Sequence, residues 1–227
     1  MSNLPAQTTP VYCNDEDIAV RAGNDFVALC PPWQMMGTGT DGVFSSGTPW
    51  VLTSASNNFA TNGVVPNQIV WLNGPKSTYP GSGQILAIDS VSGTSLTLRR
   101  VYKDLNIGWP PGPAAGITGV SFSVLTLDPQ SARATFDIKR RFGIDENITG
   151  RTSSWVYDLQ DLREATMLTV LRDRYIQEAR TDRGDFARKA KQIQVDLQLV
   201  LDRCQVRWGP LGNSAEPATV FSCKIAR

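Results

Sequence analysis

The sequence predicts an α+β protein: a helical bundle, interrupted by an inserted antiparallel β-barrel or sandwich module, with an extended C-terminal arm. Three observations carry this prediction. Pro31 to Leu127 holds only 7 charged side chains in 97 residues, whereas Asp128 to Trp208 holds 28 in 81, so the two stretches are built differently. The charge-poor stretch consists of short apolar runs separated by Gly, Ser, Thr, Asn and Pro, which is strand texture, while the charge-rich stretch repeats apolar residues every three or four positions. After Trp208 neither pattern continues. The predicted parts are 1–36, an N-terminal arm and first bundle helix; 37–127, the β module; 128–208, the helical bundle; and 209–227, the arm.

Taken in order, "YCNDEDIAVRAGNDFVALCPPW" predicts a helix from about Asp15 to Leu29. Asn14 suits its cap, and Asp15, Glu16 and Asp17 place negative charge on the positive helix start, so the acidic triplet reads as a helix-start device rather than a metal site. Ile18, Ala22, Phe26 and Leu29 form the buried stripe, and Pro31-Pro32 stops the helix. Beyond it, "PWVLTSA", "NQIVWL", "QILAIDSV", "SLTLRRVY" and "VSFSVLTL" read as strands, with Val91 to Ser95 as a hairpin turn between two of them. "GTGTDG" (Gly37 to Gly42) lacks the strand-glycine-helix setting of a dinucleotide site and reads as a loop, as does Asn106 to Gly119.

Asp128-Pro129 then opens a helix that runs to about Phe142 before Gly143. Lys139, Arg140 and Arg141 in its last turn complement the helix dipole, or else face DNA or an acidic partner. In the next helix Asp158 is placed to cap, Asp161 to close a capping box and Tyr157 to staple onto Leu162, with Leu168, Leu171, Tyr175 and Ala179 as the buried stripe. Phe186, Ala190, Ile193, Leu197, Val200 and Cys204 mark a third helix, expected antiparallel to the second and stopped by Gly209-Pro210. Between them lies Arg183-Gly184-Asp185, a tripeptide that adhesion receptors read. Gly184 as a left-handed helix end and Asp185 as a cap give it a local explanation instead.

Composition excludes several classes. A chain of 227 residues can bury a real core, which argues against disorder or a disulfide scaffold. The net charge of +1 offers no global attraction to nucleic acid or to an anionic membrane. No apolar run is long enough to span a bilayer, and "MSNLPAQTTPVY" has neither the basic start nor the apolar core of a secretory signal, so the protein is expected to stay where it is made. Cys13, Cys30, Cys204 and Cys223 form no C-x-x-C pair and fit reduced structural thiols better than a zinc site or disulfides. Histidine is absent, which removes the commonest general base and the Ser-His and Cys-His nucleophile systems. The carboxylate pairs Asp158/Asp161 and Asp182/Asp185 fall at helix starts and read as caps. No catalytic, cofactor or metal residue is therefore assigned, and an enzyme is not expected. Trp50, Trp71 and Trp109 in the β module read either as core anchors or as a sugar-stacking surface.

The early helix "YCNDEDIAVRAG" and the late pair "DLREATMLTVLRDRYIQEARTDRGDFARKAKQIQVDLQLVLDRCQ" resemble the head-tail connector (adaptor) proteins of tailed bacteriophages, over about Tyr12 to Leu29 and Asp128 to Trp208. Many members are nearly all helical, so the β module is an elaboration. The resemblance implies a structural virion protein at the head-tail interface, assembled in the host bacterial cytoplasm. It would form a homo-oligomeric ring, typically of twelve copies, beneath the portal protein. Such a ring extends the DNA channel, meets genomic DNA only by weak non-specific contact, and offers a docking surface to the tail or next neck protein, with no membrane partner. It further implies that the arm reaches the portal through Thr219, Val220, Phe221, Cys223 and Ile225 as an added strand, and makes Lys139, Arg140 and Arg141 candidates for facing DNA or portal. A carbohydrate- or surface-binding role for the Trp-bearing β module is the alternative.

Overall fold

The computed structural model describes residues 11–44, 50–73, 83–101, 116–148, 151–156, 159–180, 184–204, 206–208 and 219–221, the last two segments through their backbones alone. Two compact units result: Asn14–Asp128, and Met1–Cys13 with Pro129–Arg227. Helix and sheet are both present, as the α+β prediction requires. The first helix, expected with the bundle, falls in the same unit as the strands.

In that unit α1 (Asp15–Ala22) starts with a complete capping box: Asn14 Oδ1 accepts the Asp17 N–H, and Asp17 Oδ2 accepts the Asn14 N–H, each at 3.0 Å. The predicted single helix to Leu29 is instead broken. Gly23 takes φ +57°, a short 3-10 turn covers Gly23–Asp25, and α2 (Phe26–Leu29) resumes for one turn. Glycine makes that break inexpensive because it has no side chain to clash at positive φ. The spacing of the stripe survives, with Ile18, Phe26 and Leu29 fully buried.

Six strands then close an antiparallel barrel: β1 (Met35–Phe44), β2 (Trp50–Thr53), β3 (Ile69–Leu72), β4 (Ile85–Ser92), β5 (Ser95–Arg100) and β6 (Val120–Leu125), in the order β1-β2-β5-β4-β3-β6. Of the two predicted alternatives the barrel is found, and closure leaves no strand edge unpaired. Alternate residues point inward: Trp50 and Leu52, Val70 and Leu72, Leu86 and Ile88, Leu96 and Leu98, and Val120, Phe122 and Val124. Phe59, in the segment after β2, seals this core by meeting Phe122 edge-on at 5.8 Å between ring centroids. The β4–β5 hairpin turns on Gly93-Thr94, with Ser92 opposite Ser95 and Gly93 at φ +56°. A glycine at the first turn position is what a type II′ hairpin needs.

Gly37 to Gly42, predicted as a loop, forms the middle of β1, and the register against β6 shifts between Gly39 and Gly42. A Cβ on Gly42 would lie 2.7 Å from the Val120 carbonyl oxygen, and one on Gly39 would lie 2.9 Å from the Phe122 ring. The glycines thus permit a bulged strand to run close to its neighbour.

α3 (Asp128–Phe142), which belongs to the other unit from Pro129 on, ends as predicted at Gly143, which has φ +68°. Ile144 N–H reaches the Lys139 carbonyl at 2.9 Å and Gly143 N–H reaches that of Arg140 at 3.4 Å, a Schellman close. α4 (Gln160–Ala179) and α5 (Gly184–Arg203) are antiparallel: Tyr175 meets Phe186 at 5.4 Å at one end, and Arg203 meets Asp161 and Glu164 at the other. All six predicted stripe residues from Phe186 to Cys204 are buried. The N-cap of α4 is Leu159, without a side-chain hydrogen bond, and Asp161 lies inside the helix, 3.4 Å from Arg203; the predicted capping box and staple rest on Asp158 and Tyr157, which lie outside the described residues.

α5 also ends before the predicted Gly209-Pro210 stop. Val206–Trp208 is a short strand, β7, antiparallel to β8 (Thr219–Phe221), with Arg207 opposite Val220.

Candidate functional site

Tyr12, Lys139, Glu146 and Ser153 make a cross-linked polar group within the helical unit. α3 places Lys139 on its buried side, because Ser131, Ala134, Thr135, Ile138, Lys139 and Phe142 all fall on one face. Its ammonium lies 2.6 Å from Glu146 Oε1 and 5.4 Å from the Tyr12 ring centre. Glu146 also accepts the Ser153 hydroxyl and, at 3.2 Å, the Ser153 N–H. Ser153 Oγ is in turn 3.0 Å from the Tyr12 hydroxyl, and Tyr12 N–H donates to Thr135 Oγ1 at 3.2 Å.

Burial works against ionisation of Glu146, but the hydrogen bonds from Lys139 and Ser153 outweigh it and hold the carboxyl below its ordinary value. Burial likewise pushes the Tyr12 phenol up to about 12, with the charge on Glu146 adding to it. These groups satisfy one another, so Ser153 is a bridge between partners rather than an activated nucleophile. The chemistry available here is adhesion of the N-terminal segment to α3 and to the turn before α4.

The predicted basic cluster is consequently split. Lys139 faces inward, while Arg140 and Arg141 are exposed at the end of α3. The chain-order signal was misleading because successive helix residues are about 100° apart, so three in a row spread over about 200° and do not share a face.

Gly184 and Asp185 also stand differently from expectation. Gly184 is the first residue of α5 and is not in the left-handed region, while Asp185 is its second residue, 80 % exposed, with Arg188 at 3.6 Å. α4 ends at Arg180 in right-handed geometry, so no glycine is needed to stop it. The turn remains a helix-to-helix connection; Arg183 lies outside the described residues. Of the arm residues, Thr219, Val220 and Phe221 form β8, whereas Cys223 and Ile225 lie outside the described residues.

In the barrel unit, α1 contributes three acids that are all buried, a result the helix-start reading did not anticipate. Arg99 on β5 pairs with both Glu16 oxygens, donates to Asn67 Oδ1 at 2.9 Å and lies 3.4 Å from Asp89. Asp15 Oδ1 accepts the Leu127 N–H at 2.7 Å. The available signal was the placement of three acids before an apolar stripe that itself must be buried. Asp41, in the bulge of β1, accepts the Ser54 hydroxyl at 2.9 Å and the Ser56 N–H at 2.9 Å, which fastens the segment after β2; desolvation works against its ionisation, but the hydrogen bonds from Ser56 and Ser54 together hold the carboxyl below its ordinary value.

Trp50 belongs to the barrel core, Trp71 on β3 is half-buried, and Trp109 lies outside the described residues. Trp33, outside the β module, is 82 % exposed. Cys13, Cys30 and Cys204 are buried reduced thiols. Among the described residues no cluster of three or more Cys, Asp or Glu side chains is placed to hold a metal ion, and no helix is long and apolar enough to cross a membrane.

No protein-family model, curated protein or solved structure matches the chain.

Proposed function

We propose that the protein is a structural head-tail connector of a tailed bacteriophage, a virion component that assembles as a ring of about twelve copies beneath the portal, a number implied by the resemblance alone. The observation that supports this reading best is the antiparallel α4/α5 pair followed by a hairpin whose two strands pair only with each other among the described residues. A two-stranded ribbon is marginal alone and gains backbone hydrogen bonds when a further strand joins its edge. The portal is the partner proposed for that edge, through Thr219 to Phe221 and the residues after them, and the outward charges of the α4/α5 pair suit polar contact between identical subunits. Arg140 and Arg141 are the exposed members of the basic cluster, and DNA or portal is the partner proposed for that surface. The barrel is an elaboration carried by each subunit.

Removal of residues 209–227 tests the arm. The shortened protein should keep its helical circular dichroism and lose co-sedimentation with portal particles; normal docking by the folded, shortened protein contradicts the proposed arm contact. The carbohydrate-binding alternative is weakened by Trp50, whose ring is part of the barrel core and thus not offered to a sugar.

A further inference from the structure

The barrel unit begins at Asn14 and ends at Asp128, and one carboxyl joins these ends. Asp15 is fully buried. Its Oδ1 accepts the N–H of Leu127 at 2.7 Å, while its Oδ2 is buried with no hydrogen-bond partner among the described residues. Asp128, next to Leu127 in the chain, is near enough for its charge to act on Asp15. Asp128 is itself held in place, its Oδ2 accepting Gln68 Nε2 at 3.0 Å and its N–H donating to Thr126 Oγ1 at 3.0 Å.

Of the other charged groups on α1 and the 3-10 turn that follows it, Arg21 is exposed and Asp25 is a further acid. Asp17 on the same helix is occupied with the Asn14 N–H, Glu16 is neutralised by Arg99 of β5, and Arg99 also meets Asp89 of β4. β3, which α1 packs against, is Ile69 to Leu72 and has no titratable side chain. A bare carboxylate oxygen in this position would be both desolvated and opposed by a like charge.

We propose that the buried Asp15 carboxyl carries a proton at neutral pH and acts, through its bond to the Leu127 N–H, as a pH-operated clasp between the two ends of the barrel unit. Burial first, and the Asp128 charge second, raise the Asp15 carboxyl to about 8, against the opposing pull of the Thr126 hydroxyl and Leu127 N–H. At neutral pH the clasp is closed with Oδ2 carrying the proton. As pH rises through about 8 the proton passes to solvent, leaving a buried carboxylate that is relieved by water entering between the two ends of the unit. Because Asp15 binds its proton more tightly folded than unfolded, its stabilising contribution is complete below about pH 4 and is lost progressively up to about pH 8.

The test is a carboxyl-carbon NMR titration of the full chain, alone and with calcium, beside Asp15→Asn and Asp128→Asn. In the wild type Asp15 should titrate near pH 8, and Asp128→Asn should lower that midpoint. In Asp15→Asn, the folded-to-unfolded ratio should lose the tenfold fall per pH unit that one retained proton gives the wild type between about pH 4 and 8. Leu127 amide exchange above pH 8 should be faster in the wild type than in Asp15→Asn at the same pH. An Asp15 midpoint near 4 in the folded wild type overturns the clasp whether or not the variants fold. A midpoint that calcium moves down by more than one unit overturns it in favour of a cation site.

Discussion

The barrel unit and the helical unit handle their polar groups in opposite ways. Between Asn14 and Asp128 every strand of the barrel has two neighbours, and two of the acids on α1 are buried against partners in the same unit, Glu16 against Arg99 and Asp15 against the Leu127 amide. Beyond Pro129 the chain spreads many charges of both signs over helix surfaces and closes with a two-stranded ribbon. A self-contained barrel needs no second molecule to complete it, whereas a charged helical pair and a short ribbon present groups that another chain can use. The difference supports the proposal that the helical unit, rather than the barrel, carries the contacts with other chains.

Core truncation should give the largest contrast. Phe122→Ala removes a fully buried ring that meets Phe59 and should cost about 3–5 kcal/mol in urea unfolding, whereas Leu199→Ala, on an α5 position that is 62 % exposed, should change stability by less than about 0.5 kcal/mol. A comparable loss at both sites would show that the outer face of α5 is already packed in solution.

The inward charge of the helical unit comes next. Lys139→Met leaves Glu146 without its ammonium and should cost about 2 kcal/mol, less than the full penalty for breaking a buried pair because the Glu146 side chain is 33 % exposed. Since Glu146 is held low, the wild type's advantage over this variant should be present above the unfolded carboxyl value of about 4.3 and disappear as pH falls below it. An advantage that persists at pH 3 would assign Lys139's effect to packing of its stem.

Smaller effects separate the two helix starts. Asn14→Ala should cost about 1 kcal/mol by opening the capping box, while Asp185→Ala, at an exposed position with only an exposed Arg188 nearby, should cost less than about 0.5 kcal/mol. Equal losses would make Asp185 a cap after all.

What the sequence revealed was whatever local chemistry decides. Asn14 capping, the Gly93-Thr94 hairpin, the α3 stop at Gly143 and the α5 stripe each depend on residues a few positions apart, and all are found. Gly37 to Gly42 misled because its strand character is set by Phe122 and Val120 across the sheet, which no neighbouring residue signals. The same holds for the site. Lys139 reads as surface charge until Glu146, Ser153 and Tyr12 are brought round it, and Asp15 reads as an ordinary helix-start acid until Leu127 returns beside it. Gly184 misled for the opposite reason: a glycine between helices has two local uses, and the chain takes the one that begins α5.

Electron microscopy of the full-length protein mixed with the portal of the same phage tests the connector reading most directly. The account predicts a closed ring stacked coaxially on the portal. Intact portals without added density, at protein concentrations that saturate sedimentation assays for comparable connectors, would contradict it.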